Sequence, residues 1–381
     1  MVNQKIENID LIDAQTQVWS HLCLINNSKK IGSAYLFSGP AGSGKEYIAI
    51  KFGQLINCEK TERFPCESCP SCQRFKQLQH EKLSLIFPLP NPNKSRNDDH
   101  SVALDKQNLG IVTESIAQKA KTPFFKIQIP KAKRILIQSV KGLRKSLYLK
   151  TDDYGRKIVL VFDAHLLSVG QGEAANALLK ILEEPPENTT LILVTDHVEL
   201  LLPTILSRCQ RIGFPPFENE FVYKWLTGKI TKDKDLQLLS GLSQGNIHQA
   251  QYLISQPIDQ LMKLINGLIK TIINENPDHW RKFTQTYSRL SSQDFAVFSF
   301  HFMLLKIWFR SVNRLNKNIH DLLHETPLRL GMDQMVQSHP NANFSAIAFQ
   351  LEETILSVQQ NLYMPLILTN LLLRIQKYLG P

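Results

Sequence analysis

The chain has 381 residues, enough for two or three domains at about 150 residues each. Hydrophobic residues make up 43% of it and charged residues 20%, which excludes a disordered chain and provides for a sizeable core. The net charge of +10 excludes an acidic solvating protein, yet twelve Lys/Arg against two Asp/Glu between Lys119 and Lys157 account for the whole excess.

In chain order, the first residues show neither the apolar core of a signal peptide nor an Arg/Ser-rich transit character. No apolar run is expected to reach the roughly 18 residues that span a bilayer. The best candidate, 365–375, is shorter and contains Asn370. Six cysteines without an export signal read as ligands or free thiols, and the expected location is the cytoplasm.

Residues 34–38 read as a buried strand and residues 45–57 as the helix after it. Further strands are expected at 83–87, 158–162 and 191–195, with a surface loop at 88–97. The 91–123 stretch reads as an insertion without an assigned role. A helix at 173–184 must stop at Pro185-Pro186, because proline lacks the amide proton and clashes with the preceding turn. Alternating strands and helices predict a parallel sheet covered by helices. Beyond Pro216 the strand signals fade. Residues 217–255 read as a small helical unit, and amphipathic stretches to Tyr378 read as a helical bundle.

Between the first strand and its helix lies Gly39-Pro-Ala-Gly-Ser-Gly-Lys45, the context a phosphate-binding loop requires. Gly39, Gly42 and Gly44 let backbone amides turn around phosphate oxygens, and Lys45 reaches the outer phosphates. The next position should be a magnesium-binding Ser or Thr but is Glu46, which sets a negative charge beside a triphosphate. The loop therefore reads as degenerate, with ATP or ADP binding in doubt and ordinary hydrolysis unsupported. The strand ending Val-Phe-Asp163-Ala-His165 agrees. Where two consecutive acids would hold magnesium and polarise water, either register loses one, and Asp163 reads as a cap or turn residue.

Cys58, Cys66, Cys69 and Cys72 fall within fifteen residues, the last three as C-x2-C-x2-C. Four thiolates at this spacing satisfy a structural zinc site. An iron–sulfur cluster is the rival, but its run needs a cysteine where Lys76 stands, so upstream Cys58 must supply the fourth ligand. That arrangement fits zinc better. Cys23 lies in an apolar helical pattern and reads as core.

These features, with AANALLKILEEPP at 174–186 and LPTILSRCQRI at 202–212, resemble the clamp-loader family within the AAA+ superfamily, specifically the delta-prime branch of bacterial DNA polymerase III. The matching motifs cover about residues 9–255, and the C-terminal third matches only in being helical. The resemblance implies an α/β P-loop AAA+ core over 1–213, carrying a zinc module at 58–72. A helical lid over 214–256 and an all-α collar over 257–381 would follow. It implies that Arg208, in Ser207-Arg208-Cys209, reaches in trans into a neighbouring ATP site, where a guanidinium neutralises charge on the transferring phosphoryl group. A nucleotide-sensing arginine of the lid is replaced here by His248, which reads as a surface or packing residue.

Glu46, the acid pair and His248 thus depart from the motor pattern while Arg208 keeps it. This implies a stator subunit without its own hydrolysis in a hetero-oligomer with gamma/tau-like motor and delta-like subunits, acting on primed DNA. The alternatives are an active gamma-type ATPase and a zinc-containing DNA-binding module. Residues 135–150 can form a helix with Leu136, Val140, Leu143 and Leu147 on one side and Arg134, Lys141, Arg144 and Lys145 on the other. That basic face is expected to meet DNA phosphate or an acidic partner.

Overall fold

The computed structural model describes residues 11–60, 63–91, 106–122, 124–148, 155–230, 232–360 and 362–380. Much of the expected 88–97 loop and the end of the expected 135–150 helix lie outside these residues. Contacts divide the chain into two compact units, Met1–Glu218 with Gly245–His248, and Asn219–Gln244 with Gln249–Pro381.

Among its described residues the first unit is built on five parallel strands, β1 (Ala34–Ser38), β2 (Leu83–Ile86), β3 (Lys157–Val161), β4 (Thr189–Thr195) and β5 (Gln210–Gly213), in the order β2-β3-β4-β1-β5. Strands β1 and β4 are buried at every position, and β3 at all but its first. Their uninterrupted apolar runs belong to strands covered on both faces. Alternation assigns Tyr35 and Phe37 to one core with Trp19, Ile48, Phe52, Phe75 and Phe162, and Ala34 and Leu36 to the other with Val140, Leu178, Ile181 and Ile205. Strand β5 was not expected. It is an edge strand in which only Ile212 is buried, so it carries no apolar run.

Several other expected elements form with small shifts. Helices form at Lys45–Ile56 and Glu173–Glu183, and the basic helix is Ile137–Leu147, shorter than 135–150. Leu136, Val140, Leu143 and Leu147 are buried, while Arg134, Lys141, Arg144 and Lys145 are exposed. Cys23 is buried, as read. Within the 91–123 stretch a helix spans Lys106–Lys121.

The described secondary-structure elements of the second unit are all helices. Side chains start some of its helices: Asn276 accepts from the amides of Asp278 and His279, Asp294 from Val297, and Asn343 from Ala346. Its core gathers Phe298, Phe302, Leu305, Trp308 and Phe309 from the helix Phe295–Asn316. That helix corrects one reading: by length and composition it could cross a membrane. It is instead packed against Phe344–Gln359, and Lys306 pairs with Glu352 at 3.1 Å, as in a bundle's central helix.

Candidate functional site

Because β3, β4 and β1 are neighbours, their C-terminal ends bring Asp163, Asp196 and the phosphate loop to one edge of the sheet, where open α/β sheets bind ligands. Gly42 has φ +69°, and a Cβ there would collide with Asn246 and the amide of Ile247. Glycine therefore lets the chain's own 245–248 segment close over the loop, and the Ile247 amide donates to the Gly42 carbonyl at 3.4 Å. Gly44, at φ +81°, caps the helix that Lys45 opens. Lys45 is buried. Its ammonium donates to the Gly39 carbonyl at 2.9 Å and pairs with Asp196 at 2.7 Å. Burial pushes the Lys45 pKa down, against the opposing pull of Asp196.

Two more lysines enter this recess, both from the basic segment. Lys119, on the Lys106–Lys121 helix, pairs with Glu46 and donates to the Phe125 carbonyl at 2.6 Å. Lys126 lies 2.9 Å from Asp163 and 3.4 Å from Asp196. Burial acts to raise the Asp196 pKa, but Lys126 and Lys45 hold it well below the usual carboxylate range. Asp163 is a turn residue by its backbone, with φ 49°, as read, yet its carboxylate belongs to this network. His165, two residues on, meets Thr195 at 3.1 Å, and burial lowers its pKa to about 4.

His248, read as a surface or packing residue, packs as a wall of the recess, with its pKa pushed down to about 3 by burial and by Lys126 and Lys119. The ring is neutral at pH 7 and supplies no charge for a phosphate. Lys119 and Lys126 are likewise inward-facing and take no part in the exposed basic face. The cavity left among Gly42, Lys45, Glu46, Lys119, Lys126 and Asp196 is about 20 Å³, space for about one water. Among the described residues three ammonium groups meet three carboxylates here. The described residues here fit a magnesium nucleotide poorly, because each acid is already paired with a cation and the net positive charge a triphosphate requires is cancelled. Asp196 was missed in sequence reading, although an acid directly after a buried strand is a detectable signal.

The sulfurs of Cys58, Cys66, Cys69 and Cys72 all lie within 4.8 Å of one another, and those of Cys66 and Cys72 are 3.9 Å apart. Tetrahedral zinc with Zn–S of about 2.3 Å needs sulfurs about 3.8 Å apart, so the donor set fits. Backbone amides already point at the sulfurs: Cys69 donates to Cys66 at 3.3 Å and Cys72 to Cys69 at 3.4 Å. Donation from Cys69 and Ser68 lowers the Cys66 thiol to about 6, which favours the thiolate a metal binds. Pro70 opens the short helix Pro70–Lys76, presenting Cys69 and Cys72 together.

Arg208 follows the turn Pro203–Leu206 at the surface. Its guanidinium donates to the Thr204 carbonyl at 3.0 Å and to Glu183, the last residue of the Glu173–Glu183 helix, at 2.8 Å. The two sequence motifs, 174–186 and 202–212, thus meet at this arginine.

A family model described as "DNA polymerase III, delta subunit" matches residues 14–218. The chain is 27% identical to the DNA polymerase III subunit tau of Bacillus subtilis over 64% of its length and 37% of tau's. It is 25% identical to the subunit delta' of the same organism, over 58% of this chain and 53% of that one. With subunit delta' of Pseudomonas aeruginosa it shares 27% identity over 69% of its own length and 67% of the relative's. The chain thus spans from about a third to two thirds of these relatives. A solved gamma subunit-related protein of Thermotoga maritima aligns over 94% of this chain and 99% of that one at 18% identity, but its TM-score of 0.36 carries no argument.

Proposed function

Since the chain belongs to the DNA polymerase III delta-subunit family, of clamp-loader AAA+ proteins, we propose that it is a delta-prime-type stator that supports sliding-clamp loading on primed DNA without hydrolysing ATP itself. One observation carries this reading: the phosphate loop is neutralised by the chain's own side chains, while Arg208 lies at the surface. A subunit that serves a neighbour's nucleotide and not its own has this asymmetry.

In the proposed complex, Arg208 enters a motor subunit's ATP site, where its planar guanidinium stabilises charge on the γ-phosphate in the transition state. Glu183 and the Thr204 carbonyl hold the guanidinium before assembly. Cys58, Cys66, Cys69 and Cys72 hold a zinc ion that is structural, since four protein ligands leave no open position. Residues 1–213 act as the AAA+ core, 214–256 as the lid and 257–381 as the collar that joins gamma/tau-like and delta-like partners in the cytoplasm. The match to tau and the retained Gly39, Gly42, Gly44 and Lys45 favour a second reading, an active gamma-type motor. Steady-state ATP hydrolysis by the purified chain separates the two. No turnover above background supports the stator, whereas turnover abolished by Lys45→Ala makes the chain a motor.

A further inference from the structure

We infer that Lys126 is a built-in cation: its ammonium stands where phosphate-loop enzymes recruit a divalent metal, so the site is assembled without metal and excludes it. The inference deepens the non-hydrolysing reading and rests on it only in taking no magnesium nucleotide to displace Lys126.

In phosphate-loop enzymes the metal is held by an acid at a strand end and by the hydroxyl after the loop lysine. Here Asp163 is the strand-end acid, and Lys126 lies 2.9 Å from it. The same ammonium is 3.4 Å from Asp196 at the end of the neighbouring strand, so it bridges two acids as a metal would. The hydroxyl is replaced by Glu46, and that carboxylate is taken by Lys119. Asp196 is shared with Lys45 at 2.7 Å. Each of these three acids therefore already faces an ammonium, Asp196 through both of its oxygens.

Two physical consequences follow. An ammonium has three donors and no fixed coordination geometry, so it can join two carboxylates without bound water or phosphate. A divalent ion prefers six to eight oxygen ligands or a near-ideal octahedron, and would have to evict Lys126 while lying beside Lys45. Being part of the chain, Lys126 competes at a high effective concentration that no buffer metal matches. Its pKa is raised well above the usual lysine value: burial works against the charge, and Asp163, Asp196 and Glu46 outweigh it.

The test uses the zinc-loaded full chain and Mn²⁺, whose free ion is counted by its paramagnetic resonance. Wild type is expected to show no Mn²⁺ site tighter than about 1 mM, and Lys126→Met to gain one site at least about tenfold tighter. Adding Asp163→Asn to Lys126→Met should remove that site, and Lys126→Arg should exclude the ion as wild type does. A wild-type site as tight as the variant's, or a folded Lys126→Met chain without the gain, overturns the inference. Should Lys126→Met fail to fold, the wild type still decides. Its unfolding temperature must not respond to Mg²⁺ up to about 10 mM, and a rise of several degrees refutes the built-in cation. Failure of these outcomes leaves ATP turnover, the test of the stator reading, as a separate result.

Discussion

The pair Lys119–Glu46 offers the most direct energetic test of how the phosphate loop is closed. Lys119's side chain is 1% exposed and that of Glu46 14%, so neither is well hydrated. Replacing Lys119 by Met leaves the Glu46 carboxylate buried beside the loop without its cation, a loss of about 3–5 kcal/mol for a broken buried pair. The Phe125 carbonyl also loses its donor, adding about 1 kcal/mol. Glu46→Gln keeps the shape and an acceptor and should cost less, and the double variant should cost less than the sum, with a coupling of about 2–3 kcal/mol. Hydrogen exchange of the Lys45–Ile56 amides reads this in the sheet unit, independently of the helical one. Lys119→Met should speed their exchange about a hundredfold or more, since each 1.4 kcal/mol is about tenfold. Changes under about threefold, or strict additivity in the double variant, would refute the argument.

Three further outcomes are expected. The purified chain should carry one zinc, and Cys72→Ala should release it and raise hydrogen exchange mainly between residues 57 and 80; a visible absorption band from iron would point to the rival cluster. Stability of the sheet unit should fall as pH drops from about 6.5 towards 4. The unfolded chain protonates its histidines there, while buried His165 and His248 resist protonation until about 4 and about 3. His165→Gln should flatten the dependence of the urea midpoint on pH across that window, and an unchanged slope would count against the buried neutral ring. Glu183→Gln should change stability by under about 1 kcal/mol, because the pair with Arg208 is at the surface, yet lower the reconstituted complex's ATP turnover by less than Arg208→Ala does.

The parts of the fold visible in the sequence are those specified locally. Strands β1, β3 and β4 announce themselves by apolar runs, and the cysteine cluster by ligands fifteen residues apart or fewer. Strand β5 was hidden because an edge strand with one buried residue has no apolar signature. The Lys106–Lys121 helix was hidden too: Ser115 and Lys119 are its buried residues, and its apolar side chains are only partly covered. The closing of the phosphate loop was the larger omission. Substitution of the magnesium-binding hydroxyl by Glu46 was legible, but not its compensation by Lys119, 73 positions away, nor the bridge from Lys126 to Asp163 and Asp196. A lysine in a basic segment reads as solvated because its charge is counted along the chain, whereas what fixes its place is a carboxylate brought near by the sheet. The +10 excess is correspondingly divided. Lys119 and Lys126 face inward, and the exposed face of the Ile137–Leu147 helix keeps Lys141, Arg144 and Lys145.

The stator account is tested most directly by reconstituting the chain with gamma/tau-like and delta-like subunits, a sliding clamp and primed DNA, and comparing wild type with Arg208→Ala. The account predicts that the variant assembles to the same extent while DNA-stimulated ATP hydrolysis by the complex falls by at least about tenfold at saturating ATP. An assembled Arg208→Ala complex that hydrolyses ATP at the wild-type rate would contradict it.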